Sequence, residues 1–230
     1  MKTEALLFDV FGTVVDWRTS VAEQCAAVLP GSVDSFAFAD RWRSLYQPSM
    51  EQVRCGAREF TRLDVLHLES LRVVLSEFGV DLPESTIVEL NRVWHRLTPW
   101  PDSIDGLTRL KSRFIVAPLS NGNVSLLLDM AKNAGLPWDA ILGAEPVRAY
   151  KPTPEAYLLT ADILGLQPHQ CMLVAAHNDD LAAARDCGFD TAFVCRLTEH
   201  GAHQSSNLGP TSDWTYSTGS ISELADRLNC

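Results

Sequence analysis

Three apolar stretches, Ala5 to Val10, Phe114 to Leu119 and Met172 to Ala176, stand far apart in the 230-residue chain, and each runs directly into polar residues. Apolar runs without polar alternation mark strands covered on both faces, as in a parallel sheet. A fourth run, Thr191 to Cys195, has the same character. Amphipathic stretches of crossover length lie between them: Asn123 to Ala134 before Gly135, Pro154 to Leu164 before Gly165, and Asp180 to Cys187 before Gly188. A glycine at each end is the residue that best closes a helix. Strands alternating with helices predict a doubly wound, Rossmann-like α/β sheet. Pro118 fits poorly, because a proline in a central strand forfeits a ladder hydrogen bond.

Between the first two strands the chain changes character. From about Trp17 to Leu97 it shows helical periodicity, as in Leu63, Leu66, Leu71, Val74, Leu75 and Phe78 before Gly79, and no strand pattern. Pro99 and Pro101 punctuate its end. The expected organisation is an α/β core from residues 1–15 and 98–230, with a helical cap inserted over 16–97. The stretch His200 to Ser220, rich in Gly, Ser and Thr, reads as surface loop.

A hydrophobic share of 46% with 21% charged residues describes a compact globule rather than a disordered chain. A net charge of −10 argues against nucleic acid or an anionic membrane as the main partner. The six cysteines form no CxxC and no close pairing with histidine. The first apolar run, broken by Asp9 and followed by Asp16, is too short and too charged for a secretory leader or a span. A reduced, cytoplasmic protein is expected.

In an open parallel sheet, ligands bind beyond the carboxyl ends of the strands. The first strand delivers Asp9, Gly12 and Thr13 there, and the second delivers Ser120, Asn121 and Gly122. Lys151 opens KPTPEAY, and the third strand runs into His177, Asn178, Asp179 and Asp180. Asp9 stands out, since a carboxylate at the tip of a buried strand is costly unless it is paired.

The segments FDVFGTVVDWR, LSNGN, YKPTPEAY and VAAHNDDLAAAR, with DRWRSLYQ between the first two, resemble the haloacid dehalogenase superfamily, and within it the L-2-haloacid dehalogenases. That resemblance implies that Asp9 is a nucleophile displacing halide from C2 of a short 2-haloacid, leaving an aspartyl ester that water hydrolyses. It implies that Lys151 keeps Asp9 ionised and that Thr13 hydrogen-bonds beside it. Ser120 and the backbone N–H groups of Val10 and Phe11 would take the substrate carboxylate. Arg43 and Asn121 would face the departing halide, with Phe60 walling that pocket, and Tyr157 and Asp180 would support the lysine and the water. No cofactor or metal is implied, and a homodimer is expected by likeness.

The rival within the superfamily is a magnesium-dependent phosphatase acting on a small phosphomonoester. Its DxDxT pattern needs an aspartate where Phe11 stands, and its metal site needs one where Ala176 stands. A catalytically silent binding module on the same scaffold is the third reading. The chain also departs from familiar dehalogenases, which carry tyrosine at Phe11, serine at Ala175, asparagine at His177 and an aromatic at Asp179. His177 is therefore either a polar partner of the hydrolytic water or a helix cap. The site is expected to be a small cationic patch, Arg43 and Lys151 around one carboxylate, within an anionic surface.

Overall fold

The computed structural model describes residues 3–230. Five parallel strands form one sheet in the order β4-β1-β5-β6-β7: β1 is Ala5–Phe8, β4 Ile115–Pro118, β5 Cys171–Ala175, β6 Asp190–Val194 and β7 Tyr216–Thr218. Successive side chains alternate between faces. Leu6, Phe8 and Val174 join one buried cluster, whereas Ala5, Leu7 and Leu173 join another on the opposite face. Both faces being covered is the physical reason the strands read as apolar without alternation.

Between β2, Val15–Asp16, and β3, Thr98–Pro99, lie five helices: α1 Trp17–Ala26, α2 Ser35–Ser44, α3 Tyr46–Arg54, α4 Leu63–Glu77 and α5 Glu84–Asn91. The two short strands pair antiparallel, Val15 with Pro99 and Asp16 with Thr98, so the chain leaves the sheet and returns at one place. Asp16 then caps α1, its carboxylate accepting from the Thr19 N–H at 3.0 Å. The insertion shares its core with the sheet through aromatic rings: Trp94 lies 5.9 Å from Phe11, 5.4 Å from Trp42 and 6.2 Å from Trp17. Trp42 and Trp94 are thus packing residues, while Trp100 donates its indole N–H to the Gly12 carbonyl at 2.9 Å and pins the loop after β1.

The remaining helices are α6 Ser103–Lys111, α7 Val124–Ala134, α8 Ala144–Val147, α9 Pro154–Ile163, α10 Asn178–Asp186 and α11 Ile221–Arg227. Gly135 closes α7 in the left-handed region at φ 70°, which explains the glycine there. Pro154 occupies the first turn of α9, where a missing N–H costs nothing.

Two expectations are corrected. Pro118 is well placed, because β4 is an edge strand. Ile115 donates to the Glu4 carbonyl just before β1 and Leu119 to the Phe8 carbonyl at its end, so the even-numbered N–H positions point outward, where Val116 donates to the Asp139 carboxylate at 2.9 Å. Pro118 has no ladder partner to lose. The stretch 200–220 is more than a surface loop. It contains β7 and the buried Trp214, whose indole donates to the Asn178 side chain at 2.9 Å. No helix among the described residues is long and apolar enough to cross a membrane.

Candidate active site

The turn after β1 buries Asp9 at 7% exposure. Its Oδ1 accepts from Lys151 Nζ at 2.9 Å and its Oδ2 from the Thr13 hydroxyl at 2.7 Å, with His177 Nδ1 3.2 Å from the same Oδ2. Thr13 cannot turn away, since its oxygen also accepts from the Ala176 N–H at 2.9 Å. Lys151 Nζ donates a second time to Asp180 Oδ2, and Tyr157 donates to Asp180 Oδ1 at 2.6 Å. The Lys151 backbone N–H donates to Asn121 Oδ1 at 2.8 Å, which ties the segment after β4 to the lysine.

Burial alone would raise the Asp9 pKa, but Lys151 and His177 beside it hold the carboxyl well below its usual range. Burial works against the charge on Lys151, and the carboxylates of Asp180 and Asp9 outweigh it, leaving the ammonium above the ordinary lysine range. Asp180 is pushed up, by burial first and by the charge of Asp9. The nucleophile candidate is thus held anionic while its neighbour carries the electrostatic strain.

The structure adds a residue that strand-end reasoning did not reach. Glu199, 1% exposed, follows β6 and accepts from Trp17 Nε1 at 3.0 Å and from His177 Nε2 at 2.9 Å. His177 therefore bridges two carboxylates and makes no side-chain hydrogen bond to the α10 backbone, so the helix-cap alternative fails. Burial would lower its pKa, but Glu199 and Asp9 raise it well above the ordinary histidine value. The sequence signal for it is the run Thr191 to Cys195, since β6 also ends at this edge. Gly12 explains the close approach: at φ +91°, a Cβ there would lie 2.0 Å from Glu199 Oε1. Gly12→Ala should lower stability by roughly 2–4 kcal/mol, from left-handed strain plus overpacking. A urea midpoint equal to that of the parent would show that Glu199 is not seated against this glycine.

The insertion contributes Arg43, whose guanidinium lies 3.9 Å from the Tyr46 ring centroid and 5.2 Å from that of Trp17. Its Nη1 is buried without a hydrogen-bond partner, an unusual and costly state for a charged donor. Asp9, Phe11, Arg43, Asn121, Lys151 and His177 line one cleft of about 520 Å³ between the sheet edge and the insertion. Thr13, Tyr157 and Asp180 support it, with Asp180 reaching its wall. Ser120 is buried with its oxygen accepting from the Gly122 N–H at 3.2 Å, which leaves its hydroxyl proton free. Among the described residues, the N–H groups of Val10 and Phe11 find no hydrogen-bond acceptor. Phe60 does not line the cleft: it lies outside any helix, with its ring 5.4 Å from Tyr150 and Arg148 over its face.

The charge expectation is also corrected. Lys151, Arg43 and His177 line the cleft with Asp9, Asp180 and Glu199, and Asp40 and Asp179 line it as well, so carboxylates outnumber the basic side chains and the cleft is not a cationic patch. A divalent cation fits this donor set poorly. Phe11 and Ala176 are apolar where the metal-dependent pattern needs carboxylates, and protons from Lys151, Thr13 and His177 point at both oxygens of Asp9.

A parallel sheet interrupted after its first strand by a helical insertion, with a buried aspartate at that strand's tip paired to a lysine, is the architecture of a haloacid dehalogenase-like hydrolase. The chain belongs to that family, whose model matches residues 3–188. It is similar to the crystal structure of a defluorinating L-2-haloacid dehalogenase, at 54% identity and TM-score 0.97 over 99% of this chain and 96% of that one. A second L-2-haloacid dehalogenase structure matches at 44% identity and TM-score 0.96 over 99% of both chains. The (S)-2-haloacid dehalogenase of Xanthobacter autotrophicus is 29% identical over 85% of this chain and 76% of its own length.

Proposed function

We propose that this protein hydrolyses the carbon–halogen bond of short 2-haloalkanoic acids to give 2-hydroxy acids. The observation that carries the reading is the opposition of two groups across one cleft: an ionised, lysine-held Asp9 at the tip of β1 and the Arg43 guanidinium of the insertion. A nucleophile with a cationic donor across the cleft is what displacement of an anionic leaving group needs. Asp9 attacks C2, the C–X bond breaks, and the halide leaves toward Arg43 and Asn121. The substrate carboxylate takes the free N–H groups of Val10 and Phe11 and the Ser120 hydroxyl. Water then cleaves the Asp9 ester, and the carboxylate is restored.

Residues 16–97 act in this reading as a cap domain over a core of 1–15 and 98–230, and cap closure excludes bulk water from the ion pairs. The relatives named above are dehalogenases of (S)- or L-2-haloacids, which supports (S)-2-chloropropionate and the haloacetates as substrates. A homodimer in the cytoplasm completes the proposal, and six unpaired thiols suit that reducing compartment.

Halide release from fluoro-, chloro- and bromoacetate and from (S)-2-chloropropionate, with and without EDTA, beside p-nitrophenyl phosphate, tests the assignment. The expected result is halide release unchanged by EDTA with no phosphate release, and the reverse pattern overturns it. Arg43→Ala should lower kcat/KM by about 10²–10³-fold, with little recovery in Arg43→Lys, because lysine lacks the planar fork. Steady-state kinetics on bromoacetate would measure this, and an unchanged Arg43→Ala would move the halide site elsewhere.

A further inference from the structure

We propose that His177, with its ring held by Glu199, is the base that takes a proton from the hydrolytic water when the Asp9 ester is cleaved. The proposal rests on the aspartyl-ester reading and assigns a step which that reading leaves open. A water attacking Cγ of Asp9 comes within reach of the groups already hydrogen-bonded to that carboxyl: Thr13, Lys151 and His177. Thr13 uses its oxygen for the Ala176 N–H, and Lys151 is an ammonium shared between two carboxylates. Asp180 stands behind the lysine with both oxygens engaged, one by Lys151 and one by Tyr157. His177 alone in this group lines the cleft with a ring nitrogen 3.2 Å from the reacting carboxyl.

The far side of the ring explains Glu199. A carboxylate at 1% exposure is expensive, and here it is fixed by Trp17 while accepting from His177 Nε2 at 2.9 Å. That contact keeps one proton on Nε2 and aims Nδ1 at Asp9, so Nδ1 is the nitrogen left with a lone pair once the ring gives up its second proton, the orienting role a carboxylate plays behind a catalytic imidazole. Glu199 is thus a positioning residue and His177 the catalytic one.

Charge makes the base available only when it is needed. The charged and titratable groups around His177 are Asp9 and Glu199 in contact, His200 3.6 Å from Glu199, Lys151 on the far oxygen of Asp9, Arg43 across the cleft, and Asp179 and Asp180 in the first turn of α10. In the free enzyme two carboxylates keep the imidazole protonated. Esterification neutralises Asp9, so His177 loses one of the charges holding its proton and releases that proton to solvent as the halide departs. Water then adds to Cγ while its proton passes to Nδ1. The C–O bond to the substrate breaks as the alkoxide takes that proton and leaves as the hydroxy acid. The carboxyl proton of the regenerated Asp9 returns to His177, which restores the starting ion pair.

The test is rapid-quench kinetics and intact-protein mass spectrometry with bromoacetate on the wild type, His177→Ala and Glu199→Gln. In His177→Ala we expect a burst of about one bromide per enzyme, an accumulated covalent adduct on Asp9, and turnover reduced by about 10²–10⁴-fold. Glu199→Gln should slow adduct hydrolysis less. The inflection in its hydrolysis rate should lie about one pH unit or more below that of the wild type, since a carboxylate that raised the histidine pKa has gone. Absence of a trapped adduct from both variants overturns the proposal, whether because turnover is normal or because the burst is lost. An inflection unmoved in Glu199→Gln removes the positioning role. Failure of the wild type itself to release bromide refutes the dehalogenase reading instead, so the two failures are distinguishable.

Discussion

Asp9→Asn should lower the rate of bromide release from bromoacetate by roughly 10⁴-fold or more, because Asp9 is the carboxylate that Lys151, Thr13 and His177 together hold at the tip of β1. The change is nearly isosteric, and Lys151 keeps its second partner in Asp180, so the fold is expected to persist. The amide can accept from Thr13 but carries no charge to push halide from carbon. Intact-protein mass spectra should show no adduct, while a 2-hydroxy acid product should still bind in the cleft. Activity near the wild-type level would place the nucleophile elsewhere and undo the account of the site.

Lys151→Met should cost both activity and stability. The lysine is 7% exposed and is the cation shared by two buried carboxylates. Removing one partner of a buried pair typically costs about 3–5 kcal/mol, since the remaining charge is left uncompensated. The pH dependence has a definite sign. In the wild type, Asp9 has a folded pKa below its unfolded value, so its contribution is present above the ordinary carboxylate range and is lost as pH falls through the folded pKa. Lys151 has a folded pKa above its unfolded value, so its contribution is full below the ordinary lysine range and is lost as pH rises through the folded pKa. Between about pH 5 and 10 the pair contributes evenly. In Lys151→Met the buried carboxylates bind protons more tightly folded than unfolded, so stability should rise as pH is lowered from 7 toward 5. Denaturant midpoints at several pH values measure this, and a variant matching the wild type at pH 7 would show that the lysine is not the counter-ion.

The strands and crossover helices were legible because burial on both faces leaves a direct trace in composition, and glycines at 135, 165 and 188 mark helix ends. Asp9, Asn121 and Asp180 were legible because they follow strand ends, whereas Lys151, which follows no strand, and Thr13 took their roles from the resemblance carried by YKPTPEAY and FDVFGTVVDWR. Other features needed three dimensions. Whether Pro118 is harmful depends on which strand is at the edge, and sequence order does not show that. β7 is only three residues long, in a stretch with the composition of a loop. Phe60 and Arg43 both come from the insertion, but of the two only Arg43 reaches the cleft, because the packing of the insertion rather than sequence spacing decides which residue projects there. Glu199 lies beyond the end of β6, but its seat against Gly12 and Trp17, far away in the chain, is not visible in sequence order. The charge of the cleft depends on the same folding, since Glu199 and Asp40 join Arg43 and Lys151 there from distant parts of the chain.

The central claim is that the oxygen reaching the substrate comes from Asp9 rather than directly from water. A single turnover of bromoacetate by excess enzyme in ¹⁸O-labelled water tests it most directly. The account predicts unlabelled 2-hydroxy acid from that first turnover, with the heavy oxygen in the peptide containing Asp9. Heavy oxygen in the first product, with an unlabelled Asp9 peptide, would contradict it.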